Sequence, residues 1–235
     1  MKIKVADFST IAILVLIVTT AGCGDKSQNG NGNAAVGTAT GVPQSGSYQP
    51  ESACDLPYYP RRAGVKSETR ADGAVITAAT DIEGDFNHAI ATVTTTSPSG
   101  LDIKTYECTA DGITWKDWKL YDTAHVQVMN TLSYTGVFFP SAEGFVLGAK
   151  WEYSIVTHKT LDSGWLESET KRNCIVAGKS SVEYQGQTVD ALRVDCVDET
   201  KDLKASDEAT MEHYFDLFSF YYVYGLGVVG YKASE

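Results

Sequence analysis

The chain has 235 residues, which is enough for one domain with a sizeable core behind a short N-terminal extension. Its 30 acidic residues outnumber its 19 basic ones, giving a formal net charge of −11. A surface of this sign repels phosphate backbones and anionic lipid headgroups, so the composition argues against nucleic-acid binding and is typical of a protein kept soluble by its charge.

The N-terminus carries the pattern of an export signal. Lys2 and Lys4 precede an unbroken apolar run at residues 11–18. Eight residues are too few to cross a bilayer, which takes about 20, but they suit the central region of a secretory signal. Four small residues follow and lead directly to Cys23.

Residues 1–23 resemble the signal and lipobox of bacterial lipoproteins, although Thr20 stands where such proteins usually carry a large aliphatic residue. The resemblance implies that residues 1–22 are a signal peptide and that Cys23 becomes the acylated first residue, a membrane anchor carrying chains such as palmitate. The same resemblance implies, because Gly24 and not Asp follows the cysteine, that the outer membrane of the cell envelope is favoured, with the protein facing the periplasm or the outside. The alternative is ordinary signal cleavage, which leaves a soluble exported protein.

Residues 23–50 are predicted to be the lipidated cysteine and a flexible tether. The segment consists mainly of Gly, Asn, Ser, Thr, Ala and Gln, so it cannot bury enough surface to offset the entropy of ordering. A coil of this length spans roughly 30 Å. Removing the signal leaves 17 basic and 29 acidic residues, a net charge of −12. The folded domain is predicted over residues 51–235.

After residue 60, short β-type segments alternate with turn residues. This spacing, without a helical period, predicts an all-β fold with a single antiparallel sheet that is curved or forms a half-open barrel. Residues 203–211 are the one place where a helical turn fits. Gln185–Gly186 is the predicted turn of a hairpin formed by residues 181–184 and 187–196. The other predicted strands cover residues 87–96, 101–108, 113–121, 125–134, 148–159, 165–177, 210–215 and 218–231.

Four cysteines fall inside the predicted domain. An even number in an exported chain predicts two disulfides, which allow three pairings. The hairpin register places Cys174 nearly opposite Cys196, a separation that suits a disulfide. Elimination then pairs Cys54 with Cys108. Because the sequence has no CxxC motif, nothing supports a thioredoxin-like redox role.

A weak internal repeat suggests two similar halves. Tyr58-Tyr59-Pro60 with Gly64 matches Phe138-Phe139-Pro140 with Gly144, and Tyr106 and Tyr221 each lie six residues before a glycine, Gly112 and Gly227.

Residues 138–231 resemble a group of uncharacterised bacterial envelope lipoproteins. The resemblance implies an antiparallel sheet that curls into a half-barrel, and it implies no particular activity. A more distant likeness to periplasmic lipoprotein carriers concerns architecture alone and is only an analogy. The matching segments are Phe139–Pro140, Gly144, Trp151–Tyr153, Val189–Val194, Tyr221–Tyr222 and Gly225–Val229.

The aromatic C-terminal segment is the candidate ligand site. Phe218, Phe220, Tyr222 and Tyr224 share one face if the segment is a strand. Two interpretations stay open. The face lines a pocket for an apolar ligand such as an acyl chain, with phenol hydroxyls at its polar end, or the segment is a central core strand.

A pair of indoles forms a second candidate. Trp115 and Trp118, with Lys116 and Lys119, form an aromatic–basic patch whose indoles are of the type that stacks on sugar rings. Regular strand alternation places the two indoles on opposite faces, which favours one buried and one rim tryptophan instead.

A third pattern has alternating oxygen-bearing side chains, as in a calcium loop: Asp81, Glu83, Asp85 and Asn87. Thr92 stands where an EF-hand carries its bidentate Glu, so a solvated turn is the expectation and no metal ligand is assigned.

Catalytic motifs are missing from the sequence. The four histidines are scattered, and there is no HExxH, GxSxG or phosphate-binding glycine loop. We therefore assign no catalytic residue and no cofactor beyond the covalent lipid on Cys23. The sequence predicts a non-catalytic, lipid-anchored envelope protein that binds an apolar ligand or an envelope partner. The alternatives are a structural or interaction lipoprotein with a filled core, and an exported hydrolase of unknown specificity.

Overall fold

The computed structural model describes residues 48–69, 73–206 and 211–233. The predicted signal peptide, Cys23 and most of the tether lie outside these ranges. The described residues form strands and no helix, so the predicted all-β class is confirmed. The strands are β1 Asp55–Leu56, β2 Tyr59–Pro60, β3 Gly64–Thr69, β4 Val75–Gly84, β5 His88–Ser97, β6 Gly100–Thr109, β7 Gly112–Tyr121, β8 Gln127–Gly136, β9 Phe139–Pro140, β10 Lys150–Leu161, β11 Gly164–Tyr184, β12 Gln187–Ala205, β13 His213–Val223 and β14 Gly227–Ala233.

Twelve of these strands form one antiparallel sheet. Its order is β14-β13-β12-β11-β10-β8-β7-β6-β5-β4-β3, so strands that follow each other in sequence pair in space, and β9 pairs with β7 beside this path. Strands β1 and β2 form a separate two-stranded sheet. The two ends of the large sheet, β3 and β14, do not pair with each other, and the barrel is not closed.

The large sheet is strongly curved. Strand β9 lies beside β7, and β13 is about four strand spacings away, roughly 19 Å in a flat sheet. Yet Tyr222 on β13 contacts Phe139 on β9 with 5.4 Å between ring centroids. Two such distant strands meet only if the sheet bends toward the face that carries these rings. We call this the concave face.

The main core fills the concave face. On β5, Ala89, Ala91 and Val93 are buried and the residues between them are not, as the two-residue period of a strand requires. The largest fully buried side chains include Tyr106 and Phe139. The core is therefore built largely from aromatic rings, which supply the most apolar area per residue.

Residues 48–62, the N-terminal strap, cross the open side of the curved sheet. At one end of the sheet order, the backbone N–H of Ala53 donates to the carbonyl of Asp85 over 3.0 Å. At the other end, the N–H of Gly225 donates to the carbonyl of Pro57. The strap thus joins two parts of the sheet that do not pair directly.

Both predicted disulfides are present. Cys174 and Cys196 are direct partners in the register of β11 and β12, with their Cα atoms 4.2 Å apart. Cys54 is bonded to Cys108 with a Cα separation of 5.1 Å, which fixes the strap to β6. The first bridge joins strands that are already paired, whereas the second joins segments that no strand pairing connects.

The end of the chain differs from the prediction. The strands predicted at 210–215 and 218–231 are divided differently: β13 runs without a break over His213–Val223, and β14 begins only after a turn at residues 224–226. Gly225 and Gly227 have φ values of 75° and 83°, a backbone conformation that glycine adopts without steric cost. Residues 203–205 belong to β12 instead of a helical turn, and residues 207–210 lie outside the described ranges.

The two repeat segments become the short strands β2 and β9, but their surroundings differ. Strand β2 pairs with β1, whereas β9 pairs with β7. Tyr106 belongs to the main core, and Tyr221 packs against a separate small cluster around Val189 and Val223.

Candidate binding site on the concave face

Three of the four predicted ligand-binding residues are part of the core. Phe218, Phe220 and Tyr222 are buried on the concave face of β13. The Tyr222 ring packs between Phe139 and Phe145, at centroid distances of 5.4 and 5.3 Å. Protein side chains therefore surround the Tyr222 ring.

The fourth predicted residue, Tyr224, does not share their face. It lies in the turn between β13 and β14, where the alternation of the strand has ended. Its ring contacts Tyr48 and Tyr58 of the strap at centroid distances of 5.7 and 5.4 Å. Tyr224 thus helps to hold the strap.

A different group of side chains forms the most unusual environment on the concave face. We call it the aromatic–arginine cluster. Its members come from the strap, from β6 and β7, from the residue before β9, and from β10: Tyr59, Arg61, Tyr106, Trp115, Phe138 and Tyr153. Phe138 contacts the rings of all four other aromatic members.

Arg61 is held by tyrosines alone. Its guanidinium carbon lies 4.6 Å from the ring centroid of Tyr59 and 4.8 Å from that of Tyr106. One terminal nitrogen donates to both hydroxyls, at 3.4 Å for Tyr106. The buried Nε has no acceptor, and no carboxylate of the described residues forms an ion pair with Arg61. The residue as a whole is only partly buried, so the unusual feature is this one buried N–H group without an acceptor.

Trp115 is the second side chain with an unused donor. Its residue is 7 % exposed, and its Nε1–H is buried without an acceptor. The other two interior indoles are satisfied: Trp118 donates to Asp102 over 2.8 Å, and Trp151 to the carbonyl of Phe138 over 3.1 Å. An unpaired buried donor costs about 1–3 kcal/mol, which is why few occur in native proteins.

The prediction that Trp115 and Trp118 point to opposite faces is wrong. In the pairing of β6 with β7, Thr105 is opposite Asp117 and Tyr106 is opposite Trp115, so Lys116 is an extra residue. A β-bulge of this kind shifts the alternation by one. The two indoles therefore contact each other, with 5.7 Å between centroids.

The two lysines that were predicted to belong to this patch form ion pairs with acidic side chains instead. Lys116 pairs with Glu107 at 2.9 Å, and Lys119 pairs with Asp117 at 2.6 Å. The cation that lies over the Trp118 ring is Lys104 instead, at 5.1 Å from the centroid. The lysines predicted to flank the indoles are thus held in surface ion pairs.

Arg172 borders the cluster and, unlike Arg61, has a carboxylate. It donates to both oxygens of Asp198 at 2.6 and 2.5 Å, and its guanidinium carbon lies 5.6 Å from the ring centroid of Tyr153. Burial raises the pKa of Tyr153 to about 12 and raises the pKa of Tyr222 even further. These phenols remain neutral donors at any physiological pH.

The surroundings of Arg61 carry positive charge although the chain as a whole is acidic. Arg62 pairs with the buried Asp55 at 2.8 Å. The pKa of Lys66 is lowered, first by burial and then by the nearby charges of Arg61 and Arg62. Glu51 lies 3.7 Å from Arg62, so Arg61, Arg62 and Lys66 against Asp55 and Glu51 leave one net positive charge on this side of the strap.

The calcium-like pattern forms a turn. Asp85 accepts hydrogen bonds from the backbone N–H groups of Asn87 and His88 at 2.7 and 3.1 Å, and these bonds lower its pKa. Asp81 and Glu83 lie on β4 and are exposed. Within the described ranges, no group of three or more His, Cys, Asp or Glu side chains is arranged to hold a metal.

The opposite, outer face carries a groove across β10 to β13. Its volume is about 780 Å³, and Ile175, Val197 and Leu217 contribute apolar side chains. Val197 lies between two buried residues of β12, and Val197 and Leu217 are 37 % and 53 % exposed. This outer groove is open and lies apart from the aromatic–arginine cluster.

Sequence reasoning missed Tyr59, Arg61, Tyr106 and Tyr153 as site residues. In the sequence, Tyr59 and Tyr106 stand out only as parts of the internal repeat, and Tyr153 only within the segment that resembles envelope lipoproteins. The available signal was Arg61–Arg62, a pair of adjacent basic residues beside three aromatic or proline positions in an acidic chain. Nothing in the sequence showed that the strap folds back onto β6 and β10.

Comparison of the chain with protein-family models, with curated proteins and with solved structures gave no match. In the part of the chain that the structure describes, there is no helix of the length and apolarity needed to span a membrane.

Proposed function

We propose that this protein is a non-catalytic, lipid-anchored component of the bacterial cell envelope that binds an apolar ligand at the aromatic–arginine cluster. The observation that carries the proposal is the pair of buried donors without acceptors, Nε of Arg61 and Nε1 of Trp115. Binding sites for small molecules combine aromatic walls with a few fixed polar groups, and this cluster has both features.

The envelope location is supported by two independent features. The N-terminal sequence resembles a lipoprotein signal that ends at Cys23, with the outer membrane favoured by Gly24. The described domain contains two disulfides, which persist in oxidising compartments outside the cytosol. We therefore place the domain on a lipid anchor at the membrane surface.

The ligand site that we propose lies beside the predicted one. Phe218, Phe220 and Tyr222 form the floor of the concave face, and their rings are covered by neighbours. The unused donors belong instead to the strap and to β7. We therefore place the ligand beside Nε of Arg61 and Nε1 of Trp115, and not on the rings of β13.

A second candidate function is that of an interaction lipoprotein with a filled core, whose partner is an envelope protein. The observation that favours it is the outer groove, because Leu217 and Val197 leave apolar surface exposed there. For the remaining alternative, an exported hydrolase, we assign no catalytic residue.

Mass spectrometry of the protein purified from membranes tests the proposal. We expect the denatured protein to start at Cys23 and to carry fatty chains, and the native protein to show an additional non-covalent mass that denaturation releases. Cys23→Ser is the control, and it should lose the fatty chains and leave the membrane fraction. An unmodified Cys23 contradicts the anchor. A native mass without adduct contradicts ligand binding and leaves the interaction lipoprotein.

A further inference from the structure

We infer that the ligand of the aromatic–arginine cluster is an amphiphile with a single carboxylate, and that Arg61 binds this carboxylate. The inference rests on the proposed ligand-binding function and adds the chemical class of the ligand. It follows from a charge count, from the free hydrogen-bond donors and from the nature of the surrounding walls.

The charge count leaves room for one negative charge. Arg61 is the basic residue of the site that has no carboxylate partner among the described residues. Three neighbouring cations are each paired within 2.8 Å: Arg62 with Asp55, Lys104 with Asp102, and Arg172 with Asp198. A fourth, Lys66, acts on Arg61 from nearby, and Glu51, 3.7 Å from Arg62, offsets its charge in the count. A monoanion therefore neutralises the site. A doubly charged phosphate would add a negative charge close to Asp102 and Asp198, whose charges already act on Tyr106 and Tyr153.

The free donors suit a carboxylate. A guanidinium binds carboxylates through two parallel N–H groups on one of its edges. The Nε–H group of Arg61 belongs to one of these edges and has no acceptor. Trp115 offers a further N–H. Both side chains lie against Tyr106, Arg61 at 4.8 Å and Trp115 at 5.0 Å from its ring centroid. Both unused donors thus lie beside the same ring, and Arg61 is the one of the two that carries a charge.

The walls suit an apolar body behind the carboxylate. Phe138 contacts Tyr59, Trp115 and Tyr153, so the cluster continues from the strap to β10 as a row of aromatic rings. Aromatic faces pack well on aliphatic chains, and they offer a small hydrophilic ion no compensation for its lost hydration. A carboxylate without an apolar body would therefore bind weakly.

Calorimetric titration with decanoate and decan-1-ol tests this inference. The two probes have the same chain length and differ in the charge of the head group. For the full-length protein after removal of bound material, we expect decanoate to bind with a Kd roughly tenfold below that of decan-1-ol, since charge-assisted hydrogen bonds are the strong ones. Arg61→Met should remove this preference. Lys171→Met, which deletes an exposed cation on β11, should keep it.

The outcomes separate the inference from the proposed function. Equal binding of the two probes to the wild type, or a preference that survives in Arg61→Met, overturns the carboxylate assignment alone. Failure of both probes to bind overturns the assignment and also argues against the ligand-binding function. If Arg61→Met does not fold, Trp115→Phe replaces it, because this substitution removes one donor and keeps an aromatic ring. It should weaken decanoate binding about threefold and leave decan-1-ol binding unchanged.

Discussion

Replacing Cys54 and Cys108 together by alanine is expected to lower the free energy of unfolding by about 4 kcal/mol. The bridge closes a loop with a sequence separation of 54, and a cross-link of this span strongly restricts the unfolded chain. It also holds the strap on β6, where no strand pairing does so. Urea unfolding followed by tryptophan fluorescence measures the effect, provided that the transition is two-state.

The other disulfide is the matched control. Cys174 and Cys196 are separated by only 22 residues and already face each other in a hairpin, so their replacement should cost about 3 kcal/mol. Only loss of the Cys54–Cys108 bridge should also speed hydrogen exchange at the N–H of Gly225, which donates to Pro57 of the strap. A larger loss of stability on replacement of Cys174 and Cys196, or slow exchange at Gly225 in both variants, would contradict the role that we give to the strap.

Asp198→Ala is expected to lower the free energy of unfolding by about 3 kcal/mol. Asp198 neutralises Arg172, whose guanidinium lies over the rings of Tyr153 and Phe218 with its side chain only 17 % exposed. Removing the carboxylate leaves a buried cation without its partner, and this loss exceeds the net gain from the intact pair. Urea unfolding at neutral pH is the measurement.

Asp216→Ala provides the control, because Asp216 is directly opposite Asp198 in the pairing of β12 with β13. Its pKa is raised, first by partial burial and then by the charge of Asp198. The folded state therefore binds the carboxyl proton of Asp216 more tightly than the unfolded state does. The contribution of the protonated Asp216 to the free energy of unfolding is lost as the pH rises through the folded-state pKa. Asp216→Ala should thus be neutral or stabilising at pH 7. A destabilisation as large as that of Asp198→Ala would show that the unpaired Arg172 charge is not the cause.

The sheet was predictable because its signals are local. Alternation over β5 to β7 and the glycines at the turns mark strands with a period of two, and the hairpin at Gln185–Gly186 sets the register that pairs Cys174 with Cys196. Each of these signals depends only on residues that are close in sequence or that lie on adjacent strands.

The candidate site was less predictable for two physical reasons. The extra residue Lys116 forms a bulge that changes the face of every later side chain on β7, and no alternation rule reveals where a bulge occurs. The strap has no strand period of its own, and Arg61 reaches Tyr106 only because the sheet curves. Contacts across a curved sheet depend on the complete fold.

Nuclear magnetic resonance of the indole N–H groups tests the central claim most directly. In protein labelled with nitrogen-15, Trp115 has a buried N–H without an acceptor, whereas Trp118 and Trp151 already donate to oxygen atoms. Addition of decanoate should move the Trp115 signal downfield and leave the other two nearly unchanged. A Trp115 signal that does not move at saturating decanoate would contradict a ligand site on the concave face.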